Sequence, residues 1–303
     1  INNTLLGGLA GAALTDADFN IAVGYGALDS DTLGSRSVAI GYNSLTTQNF
    51  TTATDTYNTA VGFQAGTAVT TGVENTLIGG LAGSSLTDAD FNTSVGRLAL
   101  QTDTLGSRST ALGYGTLQAQ NFTTATDSYN VAVGFSAGNA LTTGLRNNLF
   151  GAFAGDSLTD ADDNVAVGDS ALNADTLGSK SVAIGRGTLA TQNFTTATDS
   201  YNVAAGYFAG NAITTGTSNT LIGGLAGTAM TTGVNNVLVG ALSGDVLTDA
   251  DYNVAVGHQS LSSDTKGGSA VAVGYAALFS QNFTTSTDNY NTAVGYNAGG
   301  AVT

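Results

Sequence analysis

The chain of 303 residues has no cysteine, no proline and no tryptophan, and only one histidine and one methionine. Without cysteine it can form neither disulfides nor thiolate metal sites, which leaves its redox compartment open. No apolar run approaches the roughly 20 residues a helix needs to cross a bilayer, so this segment is not expected to insert in a membrane. Charge is scarce as well, at 10% of positions, and it is one-sided: 22 acidic residues against 7 Lys and Arg give a net charge of −15. Nucleic acid and anionic membrane surfaces are therefore repelled rather than attracted. Glu74 is the only Glu among the acidic residues. Asp favours turns and Glu favours helix interiors, so the bias argues against helices. Ile1 is not an initiator methionine and no signal peptide is visible, so the chain reads as a segment of a longer protein.

What is present is glycine, at 42 positions, with Asn, Asp, Ser and Thr punctuating short Val, Ala and Ile runs. This is the pattern of many short strands separated by turns. One phrase recurs: NTAVGFQAG from Asn58, NVAVGFSAG from Asn130, NVAAGYFAG from Asn202 and NTAVGYNAG from Asn291. With its glycine as anchor (Gly7, Gly24, Gly41, Gly62 and onward to Gly295), successive anchors lie 17 residues apart, or 21 where QNFTT(A/S)TD(T/S/N)Y is inserted. The insertions begin at Gln48, Gln120, Gln192 and Gln281. Units thus come in four kinds, A to D, in a super-period of 72 residues, with one extra D-like unit at Gly223. A chain that accepts a whole added unit is a stack and not a closed globule.

Positions within the unit carry the fold. The residue before the anchor is apolar throughout, from Leu6 to Val294, and the fourth before it is Asn or Ser except at Ala270. Such an Asn or Ser can bond turn backbone or stack on its copies above and below. Four after the anchor, B and C units have Leu (Leu28, Leu45) where A and D units have Gly (Gly11, Gly66). Seven after it the pattern reverses, with Asp31 and Gln48 against Leu14 and Val69. One large apolar group per unit, reached from either of two places, is how a core of fixed volume behaves. Eight after the anchor stands a column of Thr, from Thr15 to Thr303, interrupted by Asn49, Asn121, Asn193 and Asn282. The expected fold is all-β: one continuous parallel β-solenoid over residues 1–303 with 17 rungs, about 4.8 Å apart and so roughly 80 Å long. The insertions are expected to bulge outward every fourth rung. Such thin coils leave apolar surface outside, including Tyr25, Tyr42, Phe63, Tyr114, Phe135 and Tyr207 just after the anchor. Lateral self-association is expected, with a homotrimer favoured.

SVAIG at Ser37–Gly41 and Ser181–Gly185, with its NTAVG and NVAVG variants, resembles the head repeats of YadA-like trimeric autotransporter adhesins. The resemblance covers essentially the whole chain. It implies a left-handed parallel β-roll packed as three chains, an extracellular location and a role in adhesion. The NTAVGYxAG form is also similar to repeat arrays in phage tail fibres and giant bacterial surface proteins. The 17- and 21-residue rungs are longer than the family's usual ones, and its stalk and membrane anchor are not in this segment. The expected role is a shaft or head of an extracellular fibre on a cell or virion. The alternative is a surface that itself binds a host-cell or prey glycan or protein.

The insertion is the best candidate for such binding. Its polar and aromatic groups are Asn49, Phe50, Thr51, Thr52, Thr54, Asp55 and Tyr57, repeated as Asn121, Phe122, Asp127 and Tyr129; as Asn193, Phe194, Asp199 and Tyr201; and as Asn282, Phe283, Asp288 and Tyr290. NFT at each Asn is also a glycosylation triplet. A structural role in bonding a neighbouring chain explains four near-identical copies equally well. The TDAD turns place Asp16 and Asp18, Asp88 and Asp90, Asp160 and Asp162, and Asp249 and Asp251 in pairs. Paired carboxylates could contribute to a calcium site of six to eight oxygens, though no full calcium-loop motif is present and solvated turns explain them too. No other cofactor is implied. Arg36, Arg108 and Lys180 stand five residues after Asp31, Asp103 and Asp175, an expected surface pairing of little energetic weight. His258 reads as a surface variant, no Ser–His–Asp set stands out, and GGLAG at Gly79 and Gly223 lacks the strand–turn–helix setting of a nucleotide loop. An enzyme is not expected. The Thr column raises an ice-binding solenoid as a remote alternative.

Overall fold

A computed structural model describes all residues, Ile1–Thr303, and it contains strands and turns and no helix. The chain forms two compact units, Ile1–Asn147 and Asn148–Thr303. Each is a parallel β-solenoid, and every anchor glycine marks one coil.

In the first unit each coil contributes one three-residue strand ending just before its anchor. Thr4–Leu6, Ile21–Val23, Val38–Ile40 and Thr59–Val61 pair in parallel with residues of equal rank opposite one another, as in Val38↔Thr59, Ala39↔Ala60 and Ile40↔Val61. The second unit repeats this from Asn148–Phe150 through Thr292–Val294. In every such strand but the terminal Thr4–Leu6, where Leu5 is exposed, the middle residue is buried and its neighbours are more open. A second, two-residue strand forms only where a B coil meets a C coil: Gly34–Ser35 pairs with Thr54–Asp55, and Gly178–Ser179 with Thr198–Asp199.

The anchor must be glycine for a steric reason. Gly41 has φ of +134°, and a Cβ there would lie 2.2 Å from the carbonyl oxygen of Gly62 on the next coil. The coil's other corners are left-handed even without glycine: Leu28, Arg36 and Leu45 have φ of 53°, 65° and 47°. Proline, fixed near φ −65° and lacking an N–H, could occupy none of these corners and could not join the ladder between coils.

The core is thin. The apolar exchange holds: Leu28 and Leu45 in B and C coils and Val69 and Leu86 in D and A coils are all fully buried. Beside this apolar file runs a polar one, and it closes the coils. Asn20 donates its Nδ2–H to the Gly34 carbonyl 14 residues on, at 2.9 Å, closing its own coil. Its Oδ1 accepts the N–H of Ser37, the equivalent residue of the next coil, at 2.8 Å. Asn58 does the same with the carbonyl of Gly72 and the N–H of Asn75. In the second unit Asn219 does so with the carbonyl of Gly233 and the N–H of Asn236. The turn-bonding role expected of this Asn is what the structure contains, and every atom of the amide is used. Buried amides are tolerated only when so satisfied.

Candidate functional site

The junction between B and C coils, where the insertion lies, differs most from the rest of the fold. Its centre is a carboxylate that sequence polarity places outside. Asp31, Asp103 and Asp175 are fully buried. Asp31 Oδ1 accepts the N–H groups of Gly34 (3.1 Å) and Phe50 (3.2 Å), and its Oδ2 accepts Gln48 Nε2 at 2.6 Å. Gln48, also buried, donates to Ser37 Oγ at 2.8 Å and accepts from Asn58 Nδ2 at 2.9 Å. The same set joins Asp103, Gln120 and Ser109, and again Asp175, Gln192 and Ser181. The position seven after the anchor is therefore inside in all four coil types. Where it is not filled by a Leu-like side chain, it is filled by a hydrogen-bonded Asp or Gln.

This fixes the insertion. Phe50, Phe122 and Phe194 are turned inward and only 5–6% exposed, so these rings are not offered to a ligand. The Phe122 and Phe194 rings lie against Gly106 and Gly178, leaving no room there for a Cβ. Asn49 Oδ1 accepts the Thr32 hydroxyl at 3.0 Å, and Asn121, Asn193 and Asn282 accept those of Thr104, Thr176 and Thr265. The tip, Thr51–Ala53, is exposed, as are Asn49, Asp55 and Tyr57, and Thr54 Oγ1 is bonded back to the Thr52 carbonyl at 3.0 Å. The outward bulge expected from sequence is thus a strand sewn to the preceding coil, with a three-residue tip.

The cations are also placed differently from the expectation. Arg36 and Arg108 pair with Asp55 (2.9 Å) and Asp127 (3.0 Å) of the insertion, and Lys180 pairs with Asp199 (2.6 Å). They do not pair with the buried Asp31, Asp103 and Asp175. The Arg36 guanidinium stands 5.0 Å from the Phe19 ring centre on the coil before and 5.9 Å from that of Tyr57 on the coil after. Arg108 stands likewise between Phe91 (4.6 Å) and Tyr129 (6.0 Å), and Lys180 lies 5.4 Å from Tyr201. Lys180's hydrogen bond holds the Asp199 carboxyl below its usual range. In the fourth junction Asp288 and Tyr290 keep their places, but Ser269 stands where Arg36 does and donates to Asp288 at 3.0 Å. There Asn289, at the place of Thr56, leaves a buried Nδ2 with no partner.

Several TDAD carboxylates bond groups of the neighbouring coil. Asp90 Oδ1 accepts the Val73 N–H and Asp251 Oδ1 the Val234 N–H, each at 2.8 Å, while Asp88 accepts the Thr71 hydroxyl at 2.6 Å. Asp249 lies 3.6 Å from Lys266 Nζ, and Asp18 pairs with the Ile1 amino group. Burial raises the Asp90 carboxyl's pKa. Asp16, Asp160 and Asp162 sit at the equivalent turn positions, and nowhere do three acidic or histidine side chains gather as a metal site requires. The Thr column donates along the stack: the hydroxyls of Thr15, Thr87 and Thr159 bond the carbonyls of Thr32, Thr104 and Thr176 on the next coil at 3.0 Å. His258 is exposed and stacks on Tyr275 with ring centres 5.5 Å apart.

The face beside the anchors is of another kind. Tyr25, Tyr42 and Phe63 form an outward stack, 5.7 and 5.4 Å between ring centres, flanked by Ile40 and Ile78. In the second unit His258, Tyr275 and Tyr296 stack in the same way, flanked by Val294. No family model, curated protein or solved structure matches the chain.

Proposed function

We propose that the chain is a structural segment of an extracellular fibre whose solenoids associate laterally, with a homotrimer as the favoured form. One observation carries the association: the outer face of the strands keeps apolar residues at every coil. The aromatic stacks extend it, with Tyr25, Tyr42 and Phe63 about half exposed. Soluble monomers rarely present such a face over long distances. Its groups recur once per coil, so a partner that meets them all must repeat at the same interval. A second copy of the chain does so. The fibre setting and adhesive context rest on the SVAIG and NTAVG resemblance.

Sedimentation equilibrium or mass photometry at micromolar concentration tests this, with a trimer as the expected species. A stable monomer sinks the association, and Tyr42→Asp with Phe63→Asp is expected to dissociate the assembly while each chain stays folded.

A second reading, direct attachment to a glycan or protein, is favoured by the exposed Thr51–Ala53 tips and their copies. A glycan array probed with the segment, with and without the four tips shortened, separates a presenting surface from an inert shaft. The ice-binding alternative loses support, because the Thr hydroxyls are committed to carbonyls of the next coil. A thermal hysteresis assay checks it.

A further inference from the structure

The four B–C junctions are near copies, and the place where the last departs is a cleft. In the first two, a guanidinium lies between an aromatic ring of the preceding coil and a tyrosine of the following one, and it is held by a carboxylate of the insertion: Arg36 with Phe19, Tyr57 and Asp55, and Arg108 with its own equivalent set. In the third, the ammonium of Lys180 takes the same place. This is an aromatic and carboxylate cradle suited to a cation.

In the fourth junction the same residue types recur with no arginine or lysine at the central position, and Asp288 accepts the Ser269 hydroxyl at 3.0 Å. Tyr252 occupies the place of Phe19, Tyr290 that of Tyr57 and Asp288 that of Asp55, but the stretch LGSRS of the first two junctions reads KGGSA. Ser269 replaces the arginine and Gly268 replaces a serine, so bulk is lost at two adjacent positions. A cleft of about 190 Å³ opens beside these positions, bounded by Asp251 and Tyr252 on one coil, Lys266 and Gly268 on the next, and Ser286, Thr287 and Asp288 on the insertion; Ser269 and Tyr290 are not among its walls. That is room for several waters, or for one guanidinium with its first methylenes. Lys266, the one cation in its wall, has its Nζ 3.6 Å from Asp249 and so is already paired.

We propose that this cleft binds the guanidinium head of an arginine side chain from outside the chain, against the Tyr252 ring and the Asp288 carboxylate, the equivalents of two of the three groups that hold Arg36. An ammonium fits the same walls less well, since it is a compact, strongly hydrated point charge that lacks the planar fork and the stacking surface of a guanidinium. The inference does not depend on the fibre reading.

The test is a titration of the 303-residue chain with N-acetylarginine amide, followed by tyrosine fluorescence or NMR, with the uncharged citrulline analogue as control. The expected result is saturable binding at one site per chain, weaker for the lysine analogue and undetected for citrulline. Ser269→Arg supplies the missing cation and is expected to weaken binding at least about tenfold, the factor that accompanies about 1.4 kcal/mol. Arg36→Ser empties the first cradle and is expected to raise the stoichiometry from one to two. A peptide carrying one arginine, run in parallel, distinguishes a side chain presented by a protein from the free amino acid by which binds more tightly. Far-ultraviolet circular dichroism confirms that each variant keeps its strands. Absence of saturable binding, equal binding of citrulline, or binding unchanged by Ser269→Arg would overturn the proposal.

Discussion

Leu86 and Asp31 occupy the same place in their coils, seven residues after the anchor, and both are fully buried. One lies in an apolar file with the Leu77 side chain. The other accepts three hydrogen bonds from Gly34, Gln48 and Phe50. The same backbone slot is therefore filled by packing in one coil and by a closed polar network in the next. The difference shows how a repeat fold encodes order. Apolar coils are interchangeable, as the extra D-like unit at Gly223 illustrates, whereas an Asp coil requires a following coil with Gln and an insertion to complete its partners. Burial of a polar set has this kind of specificity only when every member is satisfied.

The comparison breaks most visibly if the two fillings are exchanged. Leu86→Asp places a carboxylate where no Gln and no insertion N–H waits. A loss on the order of 5 kcal/mol, or failure of the surrounding coils to form, is expected by urea unfolding. Asp31→Ala strands three buried donors and is expected to cost about 3–5 kcal/mol, with hydrogen exchange rising at the Gly34 and Phe50 amides. If instead Asp31→Ala were as mild as a surface change, the network would not be what holds the insertion. Met230→Leu conserves volume in an apolar coil and should change stability by less than about 1.5 kcal/mol. The smallest effect is expected at the rim. Arg36→Ala removes an exposed pair and two ring contacts, for about 1 kcal/mol or less. The exposed Lys180–Asp199 pair sharpens the same point through pH. The Asp199 pKa is lowered in the folded chain, so the contact contributes above the unfolded carboxylate range and is lost as pH falls through the lowered value. An acid titration of Tm for Lys180→Met beside the unaltered chain should show a small gap that closes at low pH and in high salt.

The sequence made the coils, the anchors and the Leu exchange legible because stacking puts like on like at a fixed interval. A residue such as Gly41, with no alternative at its position, leaves an invariant trace. The Asn at the coil corner was legible for the same reason. The burial of Asp31 and Gln48 was not, because their polarity argues for solvent and Asp31 meets Gln48 and Phe50 17 and 19 residues away on the next coil. The identities Phe19, Arg36, Tyr57 and Glu74 in one file share neither size nor charge, so no periodic signal marks them as neighbours. Their relation is chemical complementarity between unlike groups. The insertion misled for a related reason: Phe50 in a Thr-rich loop looks presented, and only the bare backbone of glycines such as Gly106, against which Phe122 lies, shows where these rings go.

The asparagine clasp has a mechanical consequence. Each amide ties one coil shut and grips only its immediate neighbour, so a solenoid stretched between its ends can surrender turns one at a time. At roughly 3.4 Å per extended residue, and less the roughly 4.8 Å a folded coil already spans, each yielded turn would lengthen the tether by about 53 Å, or by about 67 Å where the insertion is included. A force spectrometer would record a staircase with two tread sizes, the longer one arriving after every three or four of the shorter.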